Sequence, residues 1–197
     1  MFRVNGGAFA PVVASEQDRA FATLLSAFAR DPWERWAWPE DEDYLTQFPE
    51  FLAAFGGRAF EANTVWRLGD FAAVALWLPP GSEPDGESIV HVLTATVPAS
   101  KHDDTFAVLD QMDQAHPTYP HWYLPWFGVQ AAHQGEGLGG LLMQECLRVV
   151  DASHLPAYLE TPNPRTVSFY SRHGFEVTGQ AQVGASPPII FMARSEQ

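Results

Sequence analysis

The stretch Gln134-Gly135-Glu136-Gly137-Leu138-Gly139-Gly140-Leu141-Leu142 decides how this chain is read. Four glycines in the six positions 135–140 give way to a helical run, whose apolar residues Leu138, Leu141, Leu142, Cys146, Val149 and Val150 share one face. Glycine is a poor way to start a helix, because each one loses more backbone freedom on folding than any other residue. What the turn gains is a helix N-terminus stripped of side chains. Its N–H groups have no intrahelical acceptors, and the positive end of the helix dipole lies behind them. Without a Cβ the backbone can approach an anion and adopt positive φ. A phosphate or pyrophosphate is the natural occupant.

Working outward, an apolar strand runs from His121 to Val129 just before the turn. Pro125 inside it has no ladder donor and predicts an edge or a bulge. After the helix, which extends to about Val150, comes a short strand, Ala157 to Glu160. Asn163 is the expected N-cap of a helix opening at Pro164, with Gly174 as its C′ residue. Strands over Phe175–Gly179 and Ile189–Arg194 complete the C-terminal part.

Further upstream, Ser15 and Asp18 have capping-box spacing, and Phe21, Leu24, Leu25 and Phe28 follow at helical intervals up to Pro32. A second amphipathic run uses Tyr44, Phe48, Phe51, Leu52 and Phe55 and stops at Gly56-Gly57. Pro49 is expected to begin a new first turn there. Asn63–Leu68 and Phe71–Leu78 read as a hairpin through Gly69-Asp70. Residues 88–116 read as helical pieces interrupted near Pro98. Helices and strands are mixed throughout, without an interdomain linker, which predicts an α+β domain (an α/β mixed sheet) over residues 1–197.

Composition narrows the function. The chain has 197 residues, with 11 Lys+Arg against 24 Asp+Glu and a net charge of −13. An apolar fraction of 46% excludes a disordered chain. The acidic balance and a single lysine argue against nucleic acid and, more weakly, against anionic membrane as partners. No apolar run approaches the roughly 18–20 residues of a membrane span, and the N-terminal apolar stretch is too short for a signal segment, so the chain is expected to begin near Met1. One cysteine excludes an intrachain disulfide and suits the cytoplasm. The seven histidines have no metal-site spacing, and no metal is expected.

Two families of anion site fit the turn. Gly135-x-Gly137-x-x-Gly140 matches the dinucleotide fingerprint, with Glu160 about 20 residues on. Against it, five residues separate Val129 from Gly135, and only 57 follow Gly140. No Lys-Ser/Thr follows the glycines, which excludes a P-loop. The second family is a resemblance. Gln134-Gly135-Glu136-Gly137-Leu138-Gly139 resembles the Q/R-x-x-G-x-G/A motif of the GNAT superfamily of acyl-CoA-dependent N-acyltransferases. Asn163, Tyr170 and Gly174-Phe175 resemble its Asn-x₆-Tyr-x₃-Gly-Phe pattern. His121-Trp122-Tyr123-Leu124 and Leu159-Glu160-Thr161 look most like the puromycin-type branch and its relatives.

That resemblance implies a central, mostly antiparallel sheet with one splayed parallel strand pair, flanked by helices. Residues 117–197 would form the acetyl-CoA-binding core and residues 1–116 the acceptor side. It implies main-chain contacts from Phe127 and Val129 to the pantetheine arm, and a pyrophosphate seat on the N–H groups of Gln134, Gly135, Glu136, Gly137, Leu138 and Gly139. Asn163 would touch the arm, or serve as a plain N-cap, or both. Tyr170 matches the acid that protonates the leaving thiolate. Glu160 is the first candidate base and His121 the second. Acetyl-CoA is the implied co-substrate and a small-molecule amine the acceptor, with a homodimer left open. The competing expectation is a module that holds CoA or a dinucleotide without turnover. Trp33, Trp36, Trp38, Tyr44, Phe48, Phe51 and Phe55 beside Glu40-Asp41-Glu42-Asp43 could hold an organic ammonium; a core stripe and a solvated loop is the plainer account.

Overall fold

The computed structural model describes residues 3–4 and 7–197, so the reading of Met1 as the start lies outside the described residues. Eight strands form a sheet in the order β1-β2-β3-β4-β5-β6-β8-β7. They are β1 Arg3–Val4, β2 Gly7–Pro11, β3 Val65–Leu68, β4 Ala73–Leu78, β5 Trp122–Val129, β6 Ala157–Thr161, β7 Glu176–Ala181 and β8 Ile189–Arg194. Every neighbouring pair is antiparallel except β5–β6. A dinucleotide fold needs a mostly parallel sheet with helices wound on both sides, so this topology removes that reading of the fold.

Helices cover both faces. β4 reads Ala-Val-Ala-Leu-Trp-Leu and is buried at all six positions, as expected of a central strand enclosed on two sides. Val74, Leu76 and Leu78 pack with α1 (Gln17–Phe28), α2 (Pro32–Ala37) and α3 (Asp41–Gly56), and with α5 (Gly86–Thr96) and α6 (His102–Ala115). Ala73, Ala75 and Trp77 pack with α7 (Leu138–Asp151) and α8 (Pro164–Ser171) on the other face. The short α4 (Arg58–Glu61) leads into β3. Among the described residues no helix is long and apolar enough to cross a membrane.

Three local readings need correction. Pro49 lies inside α3, which runs unbroken from Asp41 to Gly56. The ring removes one intrahelical hydrogen bond, a cost of about 3 kcal/mol. Phe48, Phe51 and Leu52, all buried, contribute roughly 1.5–3 kcal/mol each and outweigh it. Ser15 does not cap α1. A 3₁₀ turn at Ala14–Glu16 precedes the helix, and the Val13 N–H donates to Glu16 Oε2 at 3.3 Å. Pro32 is not a terminator but the first residue of α2, with Asp31 as N-cap accepting from the Trp33 N–H at 3.1 Å.

The decisive feature is where β5 and β6 part. Their parallel register holds only for Trp122–Ala157 and Tyr123–Tyr158. β5 nevertheless continues against β4 as far as Val129, opposite Ala73. Leu76 pairs with Trp126 and Leu78 with Tyr123, so β5 carries one residue more than β4 in that interval. Pro125 lies in this bulge, at the start of the divergence. A proline without a ladder donor is suited to a place where two strands separate.

Candidate active site

The glycine turn follows β5 through a 3₁₀ turn at Ala131–His133. Gly135 and Gly137 have φ of +83° and +82°, left-handed values that favour glycine. Gly137 is the N-cap of α7. The Leu141 N–H donates to the Gly137 carbonyl at 3.2 Å, which leaves the N–H groups of Leu138, Gly139 and Gly140 in the first turn without an i−4 acceptor. A Cβ built on Gly135, Gly137 or Gly140 would meet nothing within 4 Å, so these glycines border open space. On Gly139 it would lie 3.4 Å from Val129 Cγ2 and 3.7 Å from Phe127 Cε1, which sets the turn beside both half-buried strand residues. Gln134 Nε2 donates to the Val129 carbonyl at 3.1 Å and ties the loop to the strand end. Glu136 reaches back to His133 Nδ1 at 3.4 Å, and both side chains are exposed. Asn163 Oδ1 accepts from the Arg165 N–H at 3.1 Å, so the N-cap role is occupied.

Where β5 and β6 diverge, a cavity opens between the sheet and helices α1–α3 and α6. Tyr170, Glu160, Tyr123, Trp126, Phe55 and Glu34 are on its walls. Its volume is about 70 Å³. Tyr170 lies in the last turn of α8 and is 8% exposed, held edge-on by Phe169 at 5.2 Å and Phe175 at 6.0 Å between ring centres. Burial, and secondarily the charge of Asp31, pushes its phenol up, so it stays protonated at neutral pH.

Glu160 sits at the head of a polar chain. Its Oε2 accepts from the Tyr123 hydroxyl. Its Oε1 lies 3.6 Å from His116 Nδ1, and His116 Nε2 lies 3.1 Å from His121 Nε2. His121 Nδ1 is 2.8 Å from the Tyr119 carbonyl. Burial is the largest cause holding His121 below the ordinary histidine value, with the charge of His116 acting the same way. The Tyr123 hydroxyl is pushed well up by burial and then by Glu160 beside it. The structure therefore sets Glu160 and Tyr170 on one cavity and connects His121 to Glu160 through His116, with His121 itself off the cavity wall.

Four residues escaped the sequence reading. His116 caps the end of α6 and is the last residue of the 88–116 segment read as helical pieces, where nothing marks it out. Tyr123 is one aromatic among many in an apolar strand. Asp31 and Glu34 lie in a stretch read as a helix stop. The one available signal was Asp31-Pro32, an N-cap followed by proline, which announces a helix and turns the next residues inward. Glu34 is 3% exposed and Asp31 7%. Burial pushes the Glu34 carboxyl well above the ordinary range, and neighbouring Asp31 adds to this. Asp41, Glu42 and Asp43, by contrast, occupy the first turn of α3, where they favour the helix dipole, and Asp41 pairs with Arg35 at 2.6 Å. Trp38 and Phe48 belong to the core, while Trp33, Phe51 and Phe55 reach the cavity. Cys146 is fully buried, and burial raises its thiol far above the reactive range.

A mostly antiparallel sheet whose one parallel pair splays above a glycine-turn helix defines a class of acetyl-group transferases. The acetyltransferase (GNAT) family model matches residues 20–175, and the chain belongs to that family. An uncharacterized N-acetyltransferase of Schizosaccharomyces pombe is 25% identical over 184 residues, covering 83% of this chain and 72% of that protein. Among solved structures, the histone acetyltransferase HPA2 and related acetyltransferase from Corynebacterium glutamicum superposes with a TM-score of 0.67 at 21% identity, covering 98% of this chain and 97% of that one. Arylalkylamine N-acetyltransferase 2 of Aedes aegypti gives 0.68 at 15% identity, covering 96% and 99%. The polyamine N-acetyltransferase of Drosophila melanogaster gives 0.60 at 16%, covering 95% and 99%. At these identities the structural likeness establishes the fold.

Proposed function

We propose that this chain transfers an acetyl group from acetyl-CoA to a primary amine of a small molecule, by direct attack in a ternary complex. One observation carries the reading: the β5–β6 split opens onto a single cavity whose walls include both Tyr170 and Glu160. The open positive-φ turn at the far end of β5 fits the pyrophosphate, and the β6-facing edge of β5 beyond Tyr123 fits the pantetheine arm. In this reading Phe127 and Val129 contribute backbone groups, and Gln134 through Gly139 contribute N–H donors. Asn163, with Oδ1 engaged in its cap, has only its amide nitrogen to offer. When bound, acetyl-CoA supplies the acetyl thioester.

The protein must take a proton from the amine and give one to sulfur. Glu160 accepts the first. Hydrogen-bond counting shows how it can pass on. If His121 Nδ1–H donates to the Tyr119 carbonyl, its Nε2 is an acceptor. His116 Nε2–H can then donate to His121, while His116 Nδ1 faces Glu160 Oε1 at 3.6 Å, beyond direct hydrogen-bond distance. His121 then leads toward solvent. Tyr170, neutral and facing the cavity, donates to the departing sulfur. The cytoplasm is kept as the proposed location.

The direct test is ligand-dependent melting, followed by thiol release with an amine panel. Acetyl-CoA at about 100 times its dissociation constant should stabilise the protein by roughly 2.7 kcal/mol, and NADH should not. At this size each kcal/mol is worth about 2–4 °C. A shift with NADH and none with acetyl-CoA would overturn the proposal.

A further inference from the structure

We infer that the acceptor is an amine carrying a second cationic group, with the second charge seated on Glu34 while the reacting nitrogen faces Glu160. This deepens the acetyltransferase reading above and rests on it. Glu34 lines the same cavity as Glu160 but comes from a different element, α2 rather than β6. The two carboxylates differ in what they already hold. Glu160 is engaged by Tyr123 and His116. Glu34 Oε2 is buried and has no hydrogen-bond partner among the described residues.

Among the described residues, Arg35 donates through Nη2 to the Pro39 carbonyl and to Asp41 while its buried Nη1 has no partner, Lys101 donates to the Trp36 carbonyl, and neither hydrogen-bonds Glu34. The acidic neighbour of Glu34 is Asp31, and the two carboxyls hydrogen-bond to each other. A buried pair of acids that share a hydrogen bond and leave Glu34 Oε2 without a donor calls for a cationic donor from outside. The surrounding wall suits one. Trp33, Phe51 and Phe55 line the cavity with Glu34, and their ring faces favour an ammonium or guanidinium over a neutral group. The reacting amine cannot fill this role, since it must lose its charge before it attacks. A second cation, which keeps its charge throughout, can. Short α,ω-diamines and amino-guanidines are the simplest members of this class.

The experiment compares a short α,ω-diamine with the amino alcohol and the alkyl monoamine of equal chain length, using the full chain, saturating acetyl-CoA and thiol release. The diamine should be preferred in kcat/KM by about tenfold or more, the usual worth of a charge-assisted hydrogen bond in a buried site. Glu34→Gln, which keeps the shape, should bring the ratio of diamine to amino alcohol close to one. Equal wild-type rates for all three, or a ratio that survives Glu34→Gln, would overturn the subsite and leave the acetyltransferase reading standing. If acetyl-CoA neither stabilises the protein nor releases thiol with any amine, the acetyltransferase reading itself falls. Calorimetry then decides the subsite alone: diamine bound more tightly by wild type than by Glu34→Gln upholds it, and no diamine binding overturns it. The wild-type comparison does not depend on the variant folding.

Discussion

Tyr170 and Glu34 show how burial alters what a side chain can do. A free phenol would be a fair acid toward a thiolate, but burial raises Tyr170 above its ordinary value and makes proton donation harder. Brønsted behaviour then puts its contribution at the low end of positioned acid catalysis. Tyr170→Phe should slow the chemical step by about 10²-fold with acetyl-CoA affinity nearly unchanged, as read by single-turnover kinetics and calorimetry. Normal turnover with chemistry rate-limiting would remove Tyr170 from the mechanism. Glu34 makes a second prediction, on stability. Its folded-state value lies above the ordinary 4.5, so above that pH the folded state binds more protons than the unfolded one. Stability therefore falls as pH rises from the ordinary carboxyl range through the folded value. Glu34→Gln should remove this slope, since its amide can donate to Asp31. Melting curves of the ligand-free proteins should lie closest near about pH 4 and separate upward, with the variant more stable at neutral pH by about 1–3 kcal/mol. A wild type that remains the more stable at every pH would show that the carboxylate is satisfied in a way the structure does not reveal.

At the scale of elements, the glycine turn separates conformational demand from steric demand. Gly137 borders open space yet sits at φ +82°, so backbone conformation is what excludes a side chain. Gly137→Ala should cost about 1–2 kcal/mol of ligand-free stability and weaken acetyl-CoA binding as the turn relaxes. Gly140, open and without a positive φ, should accept alanine with a gain of roughly 0.5–1 kcal/mol. Melting the two variants side by side checks both signs, and equal effects would refute the distinction. The turn was legible in the sequence because glycine spacing encodes backbone conformation directly. Asn163 as N-cap and Gly174 at φ +86° were legible for the same reason. Pro49 was misread because proline's local preference is visible, whereas the burial of Phe48 and Leu52 that overrides it is a tertiary fact. The polar chain and the Asp31–Glu34 pair were hidden for a related reason. Their members come from α2, the end of α6, β5 and β6, and no spacing along the chain reports that the sheet gathers them.

For the whole molecule, a charge of −13 must be reconciled with the proposed co-substrate, acetyl-CoA, which is itself a polyanion. If backbone N–H groups and a helix dipole hold the phosphates, attraction there is short-ranged, while the field of the whole protein opposes approach. A second-cation acceptor experiences the reverse, attracted by the same field. The Debye length shrinks from about 30 Å at 0.01 M salt to about 8 Å at 0.15 M, which screens the distant charges and leaves close contacts almost intact. The two substrates should therefore respond to salt with opposite sign. Between these ionic strengths the KM for acetyl-CoA should fall by a factor of about 2–3 while the KM for a diamine rises by at least as much. The measurement is initial-rate thiol release, with each substrate varied at saturation of the other and with a neutral osmolyte as control. A KM for acetyl-CoA that climbs with salt would mean that side-chain cations such as Arg165, rather than the turn, hold the phosphates. A diamine KM indifferent to salt would separate Glu34's local attraction from any steering by the molecule as a whole.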